Sequence, residues 1–399
     1  MSKQIQDAYI VAALRTPVAR RNGAFRHVRP DDLLAQVLAA VAAAVPALDA
    51  GEIGDVITGC AMPEAEQGMN VARIGLLLAG LPERVPGVTI NRFCASGLQA
   101  VADAAARIRL GEADVMIAAG TESMSAMPQI MGNKVSLNPA IFARAENVGI
   151  AYGMGLTAEK VAAQWQVSRA DQDAFALESH RRACAAIAGG RFADEIRPYT
   201  VRAHVPGEDG TVRVIERVVE HDEGPRADAS AEGLAKLKPV FAARGSVTAG
   251  NSSQMSDGAA AVLLMSEAAL KRYQVTPVAR FAGYAVAGVA PQLMGIGPVE
   301  AIPRALARAA VGLGEIGWIE LNEAFAAQAL AVMRELGLDP EKVNPLGGAI
   351  ALGHPLGATG AIRSATLIAA MRRDPALRYG MISMCIGTGM GAAGVFERV

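Results

Sequence analysis

Aromatic residues make up only 4% of this 399-residue chain, charged residues only 19%, and cysteines number just 4. Each scarcity removes a class of function. The formal net charge is -1 and no long run of Lys or Arg occurs, which leaves neither a nucleic-acid footprint nor a polybasic membrane patch. Long hydrophobic runs are missing too. The most apolar helical stretch, LLAQVLAAVAAAVPAL, is Ala-rich, contains Gln36 and Pro46, and is too short and weak to span a bilayer. The opening MSKQIQDAYIVAAL passes straight into a strand pattern without the apolar core or cleavage site of a secretory signal, so a cytoplasmic location is expected. Cys60, Cys94, Cys184 and Cys385 are widely spaced and form no CxxC pair; free thiols in a reducing compartment fit better than disulfides or zinc, and no metal is expected. Small molecules remain as the natural partners.

Apolar and small residues are plentiful. With 52% hydrophobic residues and 42 glycines, the chain can bury a large close-packed core, enough for about two or three domains. The stretch NRFCASGLQA, residues 91–100, places a cysteine between the apolar run GVTI and a helical pattern. Leu98, Val101, Ala105 and Ile108 share one helical face, and Gly111 is placed to stop the helix. DVMIAAG, 114–120, is then continuously apolar, as in a strand covered on both faces of a parallel sheet. YIVAAL, DVITG and VTI read as further strands, giving a β-α-β alternation over residues 5–120.

The chain also repeats itself. GEIGDVITG at 51–59 returns as GEIGWIELN at 314–322, and GLPERVP from Gly80 is echoed by GLDPEKVNP from Gly337. Two matches at nearly one offset indicate a duplicated unit. An offset of about 260 residues carries Cys94 to Gly353 and His354, and the strand ending at Gly120 to MISMCIG. The expected organisation is an N-terminal half of 1–120 plus 247–274, a C-terminal half of 275–399, and an inserted region of 121–246 expected to carry binding residues on its loops.

Four short stretches contain the reactive groups. Cys94 stands where unpaired N–H groups at a helix start stabilise a thiolate, lowering a thiol pKa from about 8.5; taken alone, it reads more readily as a buried core cysteine, and the small neighbours Ala95, Ser96 and Gly97 shift the balance by leaving room for a substrate at the helix end. His354 lies in GGAIALGHPLGATGA, a glycine-rich turn that lacks the Lys of a phosphate-binding loop. His27, His180, His204 and His221 lie in polar segments and are expected at the surface. Cys385, in CIGTGMGAAG, is followed by Gly387, Gly389 and Gly391, whose backbone amides suit an oxyanion. Asn322 in LNEAFAAQ reads either as a helix N-cap or as a site residue.

Taken together, NRFCASGLQA, AGTESMS, MGLTAEKVA, AGNSSQMSDGAAA, NEAFAAQ, GGAIALGHPLGATG and CIGTGMGAAG resemble the thiolase family from about Thr16 to the C-terminus. The resemblance implies an α/β, five-layered αβαβα thiolase fold of two duplicated halves with an inserted loop domain. It implies an acyltransferase in which Cys94 is acylated, His354 activates Cys94 and later the thiol of coenzyme A, and Cys385 exchanges a proton with the acetyl-CoA carbon. Asn322 would hold a water beside His354, and the backbone N–H groups of Cys94 and Gly387 would face the other oxyanion. For coenzyme A the matching positions are Arg226, Phe241, Ala249, Ser253, Met294, Ala324 and Phe325, with Met154 beside the acyl pocket. Acyl-CoA and CoA are then substrates, no cofactor is permanently bound, no nucleic acid or membrane is engaged, and a homodimer or homotetramer is expected.

Two positions depart from the short-chain biosynthetic pattern: Gln129 follows TESMSAMP, and Gly153, before Met154, replaces a histidine. Both favour cleavage of longer 3-ketoacyl-CoAs in fatty-acid degradation, with acetoacetyl-CoA thiolysis or synthesis as the alternative. A condensing synthase of the carrier-protein type would carry a histidine at Cys385. A cysteine hydrolase would give the same product with or without CoA, and a non-catalytic acyl-CoA carrier would not need both thiols.

Overall fold

The structure is a computed structural model that describes residues 5–126, 136–207 and 209–399. In chain order the elements are β1 (Tyr9–Arg15), β2 (Ala19–Arg20), α1 (Pro30–Ala43), β3 (Ile53–Gly59), α2 (Val71–Leu78), β4 (Gly87–Ile90), α3 (Ser96–Arg109) and β5 (Val115–Ser123). Then come α4 (Met154–Gln164), α5 (Arg169–Ala188), β6 (Tyr199–Pro206), β7 (Val212–Val219) and α6 (Ala231–Ala235). The remainder is β8 (Ser256–Met265), α7 (Glu267–Tyr273), β9 (Ala279–Gly288), α8 (Gly297–Ala309), β10 (Ile316–Leu321), α9 (Ala326–Leu336), α10 (Ala349–Leu352), α11 (Thr359–Arg373), β11 (Tyr379–Ile386) and β12 (Met390–Arg398).

Pairing shows the duplication directly. The order β4-β3-β5-β8-β1 in one half is mirrored by β10-β11-β12-β9 in the other, and the halves join at a short antiparallel β1–β9 seam, Tyr9 opposite Arg280 and Ile10 opposite Ala279. In the first half β3 runs parallel with both β4 and β5, in the second β10 runs parallel with β11, and in each the next strand returns antiparallel. The second half has lost its outer strand: the counterpart of β4 is a single parallel bridge, Ile319 with Val343.

Side chains alternate across each strand, and that alternation builds the layers. Met116 and Ala118 of β5, Val262 and Leu264 of β8, and Ile382 and Met384 of β11 pack against α3 and α11. The alternate residues of the first half, Val115, Ile117, Leu263 and Met265, pack against α1 and α2. Those of the second, Met381, Ala393 and Val395, cover α8 and α9. Five layers result, with α3 and α11 in the middle. Leu98, Val101, Ala105 and Ile108 are all buried, as their spacing predicts, but Ala100 and Ala104 are buried as well, because a central helix meets a sheet on each side. Burying a Leu or Ile side chain contributes about 2 kcal/mol, so this layer anchors the molecule. The first turns of α3 and α11 touch backbone to backbone: a Cβ on Gly97 would lie 2.6 Å from Ala361 N, and one on Gly360 2.1 Å from Leu98 N.

The segment between the halves holds α4, α5, α6 and the β6–β7 hairpin, most of whose β7 residues are exposed. Its root is buried charge. Arg15 Nε donates to Glu195 Oε1 at 2.6 Å, while Nη1 and Nη2 donate to Asp222 at 2.7 and 2.9 Å. Glu195 precedes the hairpin and Asp222 follows it, so one guanidinium of β1 clamps both of its ends; removing one partner of such a pair costs about 3 to 5 kcal/mol. Among the described residues no helix is long and apolar enough to cross a membrane.

Candidate active site

Cys94 sits in a 3-10 turn, Phe93–Ala95, between β4 and α3. The turn is tied down locally: Phe93 N donates to Asn91 Oδ1 at 2.8 Å, Arg92 N to Ser96 Oγ at 2.8 Å, and Ser96 Oγ to Phe93 O at 2.7 Å. Phe93 adopts φ 46°, a left-handed conformation uncommon outside glycine and concentrated at functional sites. The Cys94 thiol is half-buried and hydrogen-bonds the backbone N–H of Gly387. Burial pushes that thiol up to about 11, outweighing the lowering by the Gly387 and Cys94 backbone N–H groups. The expected standing thiolate is therefore corrected: the structure holds a thiol that needs a base, because desolvation of the anion exceeds what the helix start returns.

The second thiol comes from the other half. Cys385, one residue before the end of β11, is buried; desolvation pushes it well up, and the charge of Cys94 raises it further, so the two sulfurs lie within electrostatic reach. β11 runs beside β10, and Asn322, just past the end of β10, donates its backbone N–H to Ser383 O at 2.9 Å. Asn322 is not an N-cap, since α9 begins at Ala326 behind Phe325. Its Nδ2 lies 3.3 Å from His354 Nε2, and its buried Oδ1 has no protein partner.

His354 is 4% exposed. Its backbone N–H donates to Gln254 O at 3.1 Å, and its Nδ1 is 2.6 Å from Thr359 Oγ1. Burial first, and the Arg363 charge second, depress the imidazole to about 3. It is neutral at physiological pH, the state a base requires. No hydrogen bond joins His354 to Cys94; both ring nitrogens are taken by Asn322 and Thr359. The repeat also aligns differently from the expected offset: the turn Leu356–Ala358 before α11 matches Phe93–Ala95, which sets Cys94 against Gly357 rather than Gly353 or His354.

The expected binding residues gather around Cys385. Met294, Ala324 and Phe325 form one buried cluster with it, together with Ala158 and Val247. Phe241 meets Phe325 edge-on, ring centroids 6.0 Å apart, and Ser253 N donates to Ala324 O at 3.0 Å. Ala249 opens a 3-10 turn capped by Thr248. Met154 begins α4 over Gly387, where an added Cβ would find Met154 Sδ at 3.7 Å and the Phe93 ring at 3.8 Å. Arg226 stands apart: it is exposed, and its backbone N–H donates to His180 Nδ1 at 3.2 Å. That corrects His180, which is buried beneath this loop, while His27, His204 and His221 are exposed as expected. Gln129 lies outside the described residues.

Three site residues escaped the sequence reading. Thr359 could have been found from its place five residues past His354, at the start of the next helix. Glu323 is a buried hub bonded to Ser179, Asn344 and Ile350 N. Glu122 accepts from Ala61 N and Gly357 N, each at 2.8 Å, and so pins the His354 turn to the first half. Neither carboxylate has a local signal in the sequence, because its partners come from distant segments.

Comparison with known proteins identifies the family. Residues 8–268 match the thiolase N-terminal domain and residues 275–398 the thiolase C-terminal domain. A 3-ketoacyl-CoA thiolase of Bacillus subtilis is 50% identical over 98% of this chain and 100% of its own length. A beta-ketoadipyl-CoA thiolase of Pseudomonas aeruginosa is 46% identical over 99% of this chain and all of its own. The crystal structure of the Bacillus anthracis acetyl-CoA acetyltransferase superposes with a TM-score of 0.90 at 40% identity, covering 100% of both chains. With both halves matched end to end, the chain belongs to the thiolase family.

Proposed function

We propose that the protein is a 3-ketoacyl-CoA thiolase of fatty-acid degradation, cleaving 3-ketoacyl-CoA with free CoA into acetyl-CoA and a shortened acyl-CoA. One observation carries the reading: two thiols from opposite halves share a site, one hydrogen-bonded to Gly387 N–H, with a neutral histidine held nearby. Breaking a carbon-carbon bond beside a ketone needs a nucleophile, an acid for the leaving carbanion and donors for two oxyanions, and this set supplies them.

His354 takes the Cys94 proton, and the thiolate adds to the 3-keto carbonyl. The Cα–Cβ bond then breaks, leaving the acyl group on Cys94 and the electron pair on the acetyl-CoA enolate, which takes its proton from Cys385. The proton on His354 then passes to the Cys385 thiolate, restoring both groups. CoA enters, His354 removes its thiol proton, the CoA sulfur displaces Cys94 from the acyl group, and the departing Cys94 thiolate takes that proton back from His354. This is covalent catalysis in two half-reactions. The Gly387 and Cys94 N–H groups serve the tetrahedral oxyanion, and Asn322 with His354 serves the enolate; the unpartnered Asn322 Oδ1 suits a bridging water there. Phe241, Ala249, Ser253, Met294, Ala324 and Phe325 line the CoA path, Arg226 its outer end, and Met154 the acyl pocket. The assignment of 1–120 with 247–274 and of 275–399 as halves around the loop domain 121–246 belongs to the same reading, as do CoA as substrate rather than bound cofactor and a homodimeric or homotetrameric state.

Substrate length is supported by Gly153. A Cβ there would meet no described residue within 4 Å, at the position where a short-chain enzyme would place a histidine beside Met154. Each buried methylene contributes up to about 0.8 kcal/mol, roughly fourfold in kcat/KM. We expect kcat/KM to rise from four to six carbons in a series of 3-ketoacyl-CoAs of four, six, eight and ten. A steep fall beyond four carbons would instead make acetoacetyl-CoA the substrate.

A further inference from the structure

We propose that Asn344 is a positioning residue for Asn322: its side-chain amide stands in for the strand missing beside β10 and clamps the peptide that carries Asn322 into the site. The inference rests on the reading of Asn322 as the residue that serves the enolate.

Alternate residues of a strand turn their N–H and C=O groups to opposite edges. Asn322 N–H faces β11, donating to Ser383 O at 2.9 Å, so the groups of Leu321 face the outer edge. Earlier on that edge the bonds are main-chain ones: Ile319 N donates to Lys342 O and Asn344 N to Ile319 O, both at 2.8 Å. There the main-chain pairing stops and a side chain takes over. Leu321 N donates to Asn344 Oδ1 at 2.9 Å, and Asn344 Nδ2 donates to Leu321 O and to Glu323 Oε1, each at 2.8 Å. The orientation of this amide is forced, since Leu321 N–H can only donate and Leu321 O only accept.

The peptide joining Leu321 to Asn322 is thus held on both sides, its C=O by Asn344 and its N–H by Ser383 O. Asn322 has a short side chain, so the direction of this peptide sets where its amide points, 3.3 Å from His354 Nε2. In the first half a strand fills the same place: Thr58, the repeat mate of Leu321, pairs with Thr89 of β4, and Cys60 N donates to Ile90 O at 3.0 Å. Replacing that strand by one buried side chain, 3% exposed, lets the main chain leave the sheet at Asn344 and enter the glycine-rich segment that carries His354. The departure is sharp. Asn344 has φ 47°, a left-handed conformation that Asn adopts more readily than most residues, so one asparagine both turns the chain and caps the sheet edge.

The test deletes the amide in the intact enzyme with Asn344→Gly, a change that φ 47° favours. A cavity of about 280 Å³ between α5 and α9 reaches Asn344, so water can take over the two Leu321 groups; the fold should survive while the peptide loses its clamp. Amide hydrogen exchange of a peptide covering 319–325 should then quicken by about tenfold or more. Cleavage of a 3-ketoacyl-CoA should slow by about 10- to 100-fold, the scale of a misplaced group. Acylation of Cys94 by a simple acyl-CoA, followed by intact mass, should stay within about twofold, a split that general loosening would not give. The double variant Asn322→Ala/Asn344→Gly should cleave no more slowly than Asn322→Ala, because Asn344 acts through Asn322. Undiminished cleavage in Asn344→Gly, an equal fall in both half-reactions, unchanged exchange, or a further loss above about threefold in the double variant each overturns the inference. Should Asn344→Gly fail to fold, Asn344→Ala gives the same comparison; failure of both would make the amide a requirement of folding and overturn the positioning role. A wild type that cleaves no 3-ketoacyl-CoA refutes the thiolase reading instead, and the exchange rates still decide whether Asn344 holds the Asn322 peptide.

Discussion

The turn that opens α3 and the turn that opens α11 are one piece of chain folded twice, yet only the first carries a nucleophile. In the second, Gly357 stands where the first has Cys94. A Cβ on Gly357 would lie 2.5 Å from Ala61 N, 2.7 Å from Cys60 Cα and 2.8 Å from Glu122 Oε2. The first half plugs the second half's turn with Glu122. Among the described residues no such plug covers Cys94: pairing of Thr58 with Ala119 and of Leu321 with Ser383 aligns Glu122 with Ile386, and Thr121 with Cys385. Where one half has a threonine and a carboxylate, the other has a thiol and an apolar residue, and the backbone beyond them, at Gly387, turns its N–H to Cys94. Duplication supplied two equivalent turns; what covers each decided which became reactive and which became a mount for His354.

The largest effect separates the two thiols across this pseudo-symmetry. Cys94→Ser should reduce acyl-enzyme formation to background, since a hydroxyl is far harder to ionise. Cys385→Ala should still be acylated by a simple acyl-CoA while losing carbon-carbon cleavage by about 10²- to 10⁴-fold. Intact-mass and turnover assays read the two steps separately. An adduct on Cys60 or Cys184, or equal loss of both steps in Cys385→Ala, would end the division of labour.

Next in size is the plug. Gly357→Ala should lower unfolding free energy by about 2 to 3 kcal/mol, because backbone and a buried carboxylate must move to admit the methyl. Gly387→Ala, whose added Cβ has no neighbour nearer than 3.7 Å, should cost less than about 1 kcal/mol. Urea unfolding of the pair gives the contrast, and similar losses at both glycines would contradict it.

The smallest effect is in pH. His354 is depressed from 6.5 to about 3 in the folded chain. Below pH 6.5 the unfolded chain takes up a proton that the folded chain refuses, so the neutral imidazole's contribution is full above 6.5 and is lost as pH falls toward 3. Glu122, Glu320 and Glu323 are raised by burial and act in the opposite sense, so the comparison must be with His354→Asn. Wild type should lose about 1.2 kcal/mol more than His354→Asn between pH 6 and 5. Equal slopes in urea unfolding would mean that the imidazole is not held neutral.

Much of this was legible along the chain. Leu98, Val101, Ala105 and Ile108 announced a buried helix face, GEIG announced the duplication, and the glycine-rich segments around Cys94, His354 and Cys385 marked the reactive groups. The illegible parts share a feature. His180 looked like a surface residue because its helix is polar, but the loop holding Arg226 closes over it. Asn322 looked like a cap because a helix follows, yet that helix starts four residues later. The spacing of the repeat suggested His354 as the mate of Cys94, whereas aligned turns gave Gly357.

Local order in the sequence determined what depends on neighbours in the chain: strands and helices from the 2 and 3.6 periodicities, the doubled unit, and which residue types are chemically able to act. Tertiary structure alone decided how they act. The Cys94 thiol is raised to about 11 and His354 lowered to about 3 because both are desolvated between two halves whose sequences lie far apart, and desolvation is a property of the surroundings rather than of the segment. The same holds for the Gly387 N–H on Cys94, the Thr359 hydroxyl on His354 and the Glu122 carboxylate under Gly357: each side chain's state is set by groups that only folding brings within a few ångströms.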